Sequence, residues 1–298
     1  MKIQLEKLSA RSQYTGKILV NLGNSQWKDF NVVFSTVAQD NMWLVSDGVR
    51  AKSKFHFENT FPHTYLKSDQ VGIDVNAFGG SGRGGLYRTM ITVDHLTLGN
   101  VLVGGLAYIQ GFGGEVGDGC VTISFSSRVA YERLICLSVV PLARLARSNS
   151  RSETVRQQLV ELRAYPERVM AIALRLFNGG ASELHIGAID QTAYDGHIQY
   201  HQCDEKSPFW MIKGASIHVG EEEVAMAKII FDTTSQFIRG PESKVQRIYK
   251  SFDSKDNFEF DKELGLYTNS DCNIPEDKLP KISIHVGTSQ WWTIEPKL

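Results

Sequence analysis

The sequence predicts an all-β protein built as two related lobes, and three observations carry that expectation. Most of the 298 residues fall into short stretches of alternating apolar side chains, such as Gly16-Lys17-Ile18-Leu19-Val20-Asn21-Leu22 and Arg88-Thr89-Met90-Ile91-Thr92-Val93, separated by Gly, Asn, Asp and Ser turns. Helical spacing is confined to two places. One apolar strand, together with the hydroxyl-rich turn that follows it, occurs twice.

The first helix is expected from Ser152 to about Ala164, where a Ser N-cap precedes Glu153, Val155, Leu159 and Leu162 recur on one face, and Pro166 marks the end. The second is expected to begin near Pro241, with Val245 and Ile248 turned inward and Lys244, Arg247 and Lys250 exposed. The duplicated element is Val32-Val33-Phe34-Ser35-Thr36-Val37-Ala38-Gln39, which matches Ile229-Ile230-Phe231-Asp232-Thr233-Thr234-Ser235-Gln236 position by position. A fully apolar strand reads as covered on both faces, so each half of the chain is expected to bury one copy.

A formal net charge of -1 and a pI near 6.7 give no global field toward nucleic acid or an anionic membrane, and neither partner is expected. No apolar run reaches the roughly 18 residues a spanning helix needs, and the opening residues lack the apolar stretch of a secretory signal. Cys120, Cys136, Cys203 and Cys272 lie far apart with no CxxC spacing, so packed thiols are expected and the compartment stays open.

The duplicated element resembles the hydrophobic-hydrophobic-Phe/Val-Asp-Thr-Gly loop of the pepsin-like aspartic peptidases, and other landmarks occur in the same order. Ser12-Gln13-Tyr14-Thr15-Gly16 is similar to that family's first strand, and Asn41-Met42-Trp43-Leu44-Val45 to its Asn-Leu-Trp-Val segment. Ala77-Phe78-Gly79-Gly80-Ser81-Gly82 stands where the flap hairpin is expected. Asp118-Gly119-Cys120-Val121-Thr122-Ile123, Ser182-Glu183-Leu184-His185-Ile186-Gly187 and Phe209-Trp210-Met211-Ile212 resemble three later segments. The resemblance spans roughly residues 12 to 298 and implies a bilobal fold with an inter-lobe cleft. The N-terminal lobe would comprise residues 12–187 and the C-terminal lobe 188–298, the latter expected to lack its last strands.

Catalysis in this family needs two carboxylates about one water apart, one ionised to take a proton and the other protonated to polarise the peptide carbonyl. Two like charges cannot both ionise at that distance, which raises one pKa. Here Asp232 fills one place and Ser35 the other. A hydroxyl can hold a water, yet it cannot carry the missing charge, and such proton transfer is worth about 10²–10⁴-fold. Val37 and Thr234 replace the glycines after the two threonines, and Phe78 replaces the flap tyrosine, losing the hydroxyl that would bond toward Trp43. Thr122 replaces a further glycine. Thr36 and Thr233 match the threonines whose hydroxyls clasp across the two lobes, so that junction is expected to form.

Other features read as structure. Gly79-Gly80-Ser81-Gly82-Arg83-Gly84-Gly85 has no Gly-Lys-Ser/Thr and no following helix, so it is expected to be a mobile hairpin tip, not a phosphate cradle. His185, His218 and His285 each lie between apolar residues, where alternation points them to the polar face; no metal or other cofactor is expected. Arg144, Arg147, Arg151, Arg156, Arg163 and Arg168 alternate with Glu153, Glu161 and Glu167 as a solvated face. Trp291-Trp292 reads as one core ring and one edge ring, or an interface.

The expected site therefore comprises Asp232 and Ser35, with Trp43, Thr36, Val37, Phe78, Gly79, Gly80, Thr233 and Thr234 around them. The resemblance implies a protein that binds an extended peptide or protein segment in the cleft without cutting it. Its rivals are a weak aspartic endopeptidase using Asp232 with Ser35 and a bound water, and an interaction protein whose second lobe a partner chain completes.

Overall fold

The computed structural model describes residues 1–7, 14–23, 25–36, 42–45, 72–77, 80–110, 119–122, 169–174, 181–204, 207, 209–235, 238–250, 258–261, 266–269, 279, 281–286 and 290–294. The expected helix from Ser152 to Ala164, the arginine cluster around it, Val37, Phe78 and Gly79 lie outside these. The described chain is all-β with one α-helix and one short 3₁₀ turn, in two compact units. The first unit comprises Met1–Tyr200, Glu205–Trp210 and Phe231–Gln236; the second comprises His201–Asp204, Met211–Ile230 and Phe237–Leu298.

The first unit holds a ten-stranded sheet. Its strands are β1 (Lys2–Lys7), β2 (Tyr14–Asn21), β3 (Trp27–Ser35), β4 (Trp43–Val45), β5 (Gly72–Ala77), β6 (Gly80–Val93), β7 (Leu96–Gln110), β8 (Gly119–Thr122), β9 (Met170–Ala173) and β10 (Ser182–Ile186). The spatial order is β5-β6-β7-β4-β8-β3-β2-β1-β10-β9, and a further pairing of β6 with β2 closes β2, β3, β8, β4, β7 and β6 into a ring. Two of the contacts in that ring, β3 with β8 and β4 with β7, are parallel. The core inside it gathers Ile18, Val20, Phe30, Val32, Leu44, Ile91, Leu98 and Val101. Strand β3 shows why its sequence lacks alternation: Val32, Val33, Phe34 and Ser35 are all buried, with β2 on one side and β8 on the other.

The glycine run corrects its sequence reading. Gly80 to Gly85 belong to β6, paired with β5 on one edge and with β7 on the other, where the register shifts between Arg83 and Gly84, so these six residues are strand and not tip. Glycine is needed there for close approach. A Cβ built on Gly84 would lie 1.8 Å from the Gly105 carbonyl oxygen, which no backbone in this paired position can clear without moving. Gly84→Ala is expected to lower stability by about 3 kcal/mol, as overpacking against backbone does, and urea unfolding of the variant checks it.

Strand β1 is held to β10 by charge as well as by backbone pairing. Lys2 Nζ lies 2.7 Å from Glu183 Oε1, and Glu183 Oε2 lies 2.8 Å from His185 Nε2. His185 is 7% exposed, which corrects the expectation that it faces solvent. Leu184 beside it in the strand is buried too, and the carboxylate of Glu183 gives the ring a partner. The Lys2 ammonium foremost, with His185 adding to it, holds the Glu183 carboxyl below its ordinary value, against a smaller opposing effect of burial. A depressed carboxyl stabilises the fold fully above its unfolded pKa and loses that contribution as pH falls through the lower folded one. Glu183→Gln is therefore expected to cost about 1 kcal/mol at pH 7 and progressively less below pH 4, measured by denaturant unfolding at both pH values.

The second unit holds β11 (Met211–Val219), β12 (Glu222–Ile230), β15 (Ile282–Val286) and β16 (Gln290–Ile294) in the order β12-β11-β15-β16, with β13 (Phe258–Asp261) and β14 (Leu266–Asn269) as a separate pair. Helix α1 (Glu242–Lys250) starts where the sequence places it, the amides of Lys244 and Val245 donating to the Pro241 carbonyl. Ile248 and Tyr249 pack against buried Val219 and Val224, and Lys244, Arg247 and Lys250 are exposed. Trp292 packs on the cluster of Ile212, Ala215 and Val286, whereas Trp291 is 50% exposed, its ring 4.6 Å from both the His218 and the His285 imidazoles. That is the division into core ring and edge ring expected of the pair. Among the described residues no helix is long and apolar enough to cross a membrane.

Candidate functional site

The duplicated turns meet within the first unit. β3 ends at Ser35 and hands over to Thr36, while β12 ends at Ile230 and hands over to Phe231, whose amide donates to the Trp210 carbonyl at 3.1 Å. Thr36 Oγ1 then donates to the Phe231 carbonyl at 2.7 Å, and Thr233 Oγ1 donates to the Phe34 carbonyl at 2.7 Å. The Thr36 amide donates to Thr233 Oγ1 at 3.1 Å, and the Thr233 amide donates to Thr36 Oγ1 at 3.0 Å. The arrangement is symmetric under exchange of the two turns. Each hydroxyl has one proton and gives it to a carbonyl, so the 3.3 Å approach of the two oxygens follows from the other four bonds and adds no fifth.

The symmetry fixes which residues correspond. Phe34 pairs in role with Phe231 and Thr36 with Thr233, so the residue between them is Ser35 on one turn and Asp232 on the other. Their surroundings differ. Ser35 is 0% exposed, at the end of a strand buried on both faces, and its backbone stands opposite Thr122 in the parallel pairing of β3 with β8. Asp232 is half-buried. Its Oδ1 accepts the Thr234 amide at 2.7 Å and the Thr234 hydroxyl at 2.5 Å, both donors coming from one residue. Among the described residues Oδ2 carries no hydrogen bond and no cation lies within ion-pair distance of this carboxylate.

The remaining candidates fall on β4, β6 and the second turn. Trp43 opens β4, where its backbone faces Gly104 of β7 and Cys120 of β8. Gly80 opens β6 and pairs with Ala77. Thr234 is buried, and its hydroxyl, which a glycine would lack, is the group that caps Asp232. Sequence reading treated Thr234 as damage to the loop and so missed this bond; an Asp followed two residues later by a hydroxyl side chain is the signal that points to it.

A second group of polar side chains gathers donors of the kind a metal uses: single ligand atoms of Glu183, His185 and Asp190 all lie within 4.8 Å of one another. Each is already engaged. Glu183 holds Lys2 and His185, and Asp190 Oδ1 accepts the Thr192 amide at 2.8 Å and the Thr192 hydroxyl at 2.7 Å. Those bonds, the hydroxyl first, lower the Asp190 pKa. With the Lys2 ammonium 2.7 Å from the Glu183 carboxylate, the group ties β1 to β10.

No curated protein sequence matches the chain. The family model described as "Asp: Eukaryotic aspartyl protease" matches residues 13–296, nearly the whole length. With its duplicated strand and turn, its threonine clasp and its all-β architecture, this chain belongs to the eukaryotic aspartyl protease family.

Proposed function

We propose that the protein binds an extended polypeptide segment at the turns joined by Thr36 and Thr233 and does not hydrolyse it. The observation that carries this reading is the register of the clasp, which makes Ser35 the counterpart of Asp232. A pair of acid-base groups has become one carboxylate and one fully buried hydroxyl, and the water-activating step needs a charge that serine cannot supply. Recognition of an extended segment asks less: main-chain hydrogen bonds from strand and hairpin edges provide affinity without a second carboxylate. Strands β5 and β6 end in such a hairpin.

A second reading, a weak endopeptidase working through Asp232 and a water held by Ser35, is favoured by the retention of a half-buried aspartate at the turn. One assay separates the two. Purified protein and a Ser35→Asp variant are incubated with a denatured protein substrate from pH 3 to 7, with and without pepstatin. No pepstatin-sensitive cleavage by the unmodified chain is expected, together with saturable binding of the denatured substrate. Cleavage by the unmodified chain, lost in Asp232→Asn, would establish the endopeptidase instead.

A further inference from the structure

We propose that Asp232 is an electrostatic anchor for a cationic group, the ammonium or guanidinium of a lysine or arginine side chain in the bound segment. This deepens the peptide-binding reading above and rests on it for the nature of the ligand. The argument starts from what surrounds the carboxylate. A half-buried carboxylate loses part of its hydration and is costly unless it is paired or fully hydrogen-bonded. Asp232 is neither: Thr234 satisfies Oδ1 twice, and among the described residues Oδ2 has no hydrogen bond and the group no cationic partner.

Its neighbours sharpen the selectivity. The counterpart position holds Ser35, uncharged and 0% exposed, so no carboxylate at that position competes for a ligand cation or shares a proton with Asp232. Thr36 and Thr233 spend their hydroxyl protons on the Phe231 and Phe34 carbonyls, so neither of these hydroxyls donates to the anion. The two hydrogen bonds donated by Thr234 fix one carboxylate oxygen, leaving the other to a single incoming donor, and charge-assisted hydrogen bonds of this kind are among the stronger ones available. Phe231, next in the chain, is 42% exposed and offers apolar surface to the alkyl stem of a lysine or arginine, the way such stems are usually covered.

The test uses the full chain and two kinds of probe. The first is a heptapeptide pair, Ala-Val-Phe-Lys-Phe-Val-Ala and the same peptide with Gln in place of Lys, titrated by calorimetry. The lysine peptide is expected to bind about tenfold more tightly at low salt, to lose that advantage as ionic strength rises, and to lose it in Asp232→Asn. The second probe is n-butylamine against butyramide, followed through the Thr233 and Thr234 amide signals by NMR. Shifts with the amine alone, absent in Asp232→Asn, are expected. Retention of the other amide shifts in Asp232→Asn reports that the variant is folded, and Asp232→Glu, which keeps the charge, is expected to keep part of the preference. Equal affinity for both peptides, or a lysine preference that survives Asp232→Asn, overturns the anchor while leaving peptide binding intact. If neither peptide binds, the peptide-binding reading fails, and the amine titration still decides the anchor: no shift at Thr233 and Thr234 overturns it.

Discussion

Thr36→Val is expected to lower the stability of the protein by about 2–4 kcal/mol, the largest loss from any isosteric change at the site. Valine keeps the shape and removes one oxygen. The loss is large because that oxygen serves both directions: without it the Phe231 carbonyl loses its donor and the Thr233 amide its acceptor, in a region where Thr36 itself is buried. Each group left unsatisfied costs about 1–3 kcal/mol. Thr233→Val removes the mirror-image bonds to the Phe34 carbonyl and the Thr36 amide, and is expected to cost a similar amount. The two changes should not add. After either one, half of the clasp is already gone, so the double variant is expected to fall short of the sum by 1 kcal/mol or more, roughly the coupling found for bonded neighbours. Equilibrium unfolding of the four proteins measures this, and strict additivity would show that the clasp does not act as one unit.

Ser35→Asp is the second large effect, and its sign depends on pH. The introduced carboxyl would occupy a position with no solvent exposure, beside a turn already carrying the Asp232 carboxylate. Burial and a neighbouring like charge both favour its protonated form. A carboxyl whose folded pKa is raised destabilises the fold as pH climbs from its unfolded value to the folded one, and the penalty stays constant above that. The variant is therefore expected to approach the parent in stability near pH 3 and to fall below it by about 2–4 kcal/mol at pH 7, equivalent to raising the carboxyl pKa by roughly 1.5 to 3. Denaturant titrations at the two pH values test it; an equal deficit at both would mean that the added atoms, and not the charge, cause the loss.

Much of the fold was legible because its signals are local. Alternation marked the strands, Pro241 and the spacing of Val245 and Ile248 marked α1, and the absence of alternation in Val32-Val33-Phe34 marked a strand covered on both faces. The repeat marked the two turns that the threonine bonds join, since two short apolar strands entering hydroxyl-rich turns are detectable without knowing where they meet. Misreadings came where tertiary context outweighs composition. Seven residues containing five glycines look like a tip, yet Gly84 is small because Gly105 of the next strand comes too close for any Cβ. His185 looks like an outward residue by alternation, but consecutive Leu184 and His185 are both buried, and the Glu183 carboxylate, itself held by Lys2 across the strand pair, gives the imidazole its partner there. The role of Thr234 was hidden for a different reason: replacement of a glycine is visible in sequence, whereas the bond its hydroxyl makes is not.

The clasp also bears on the order in which the chain can be finished. Thr36 and Thr233 are 197 residues apart, and Phe231–Gln236 belongs to the first unit although nearly all of that unit lies before Tyr200. During synthesis the ring of strands around Ile18 and Val32 is complete in sequence long before its last segment emerges. Until then the Phe34 carbonyl and the Thr36 amide have water in place of their native partners. Contacts of such separation are slow to form because the intervening chain must first be brought around. A chain cut after residue 200 would retain every strand of the ten-stranded sheet and still lack the donor that Phe34 uses. Protection of the Thr36 amide from exchange should therefore appear only once the distal segment has arrived, making it a timer for the final step of folding.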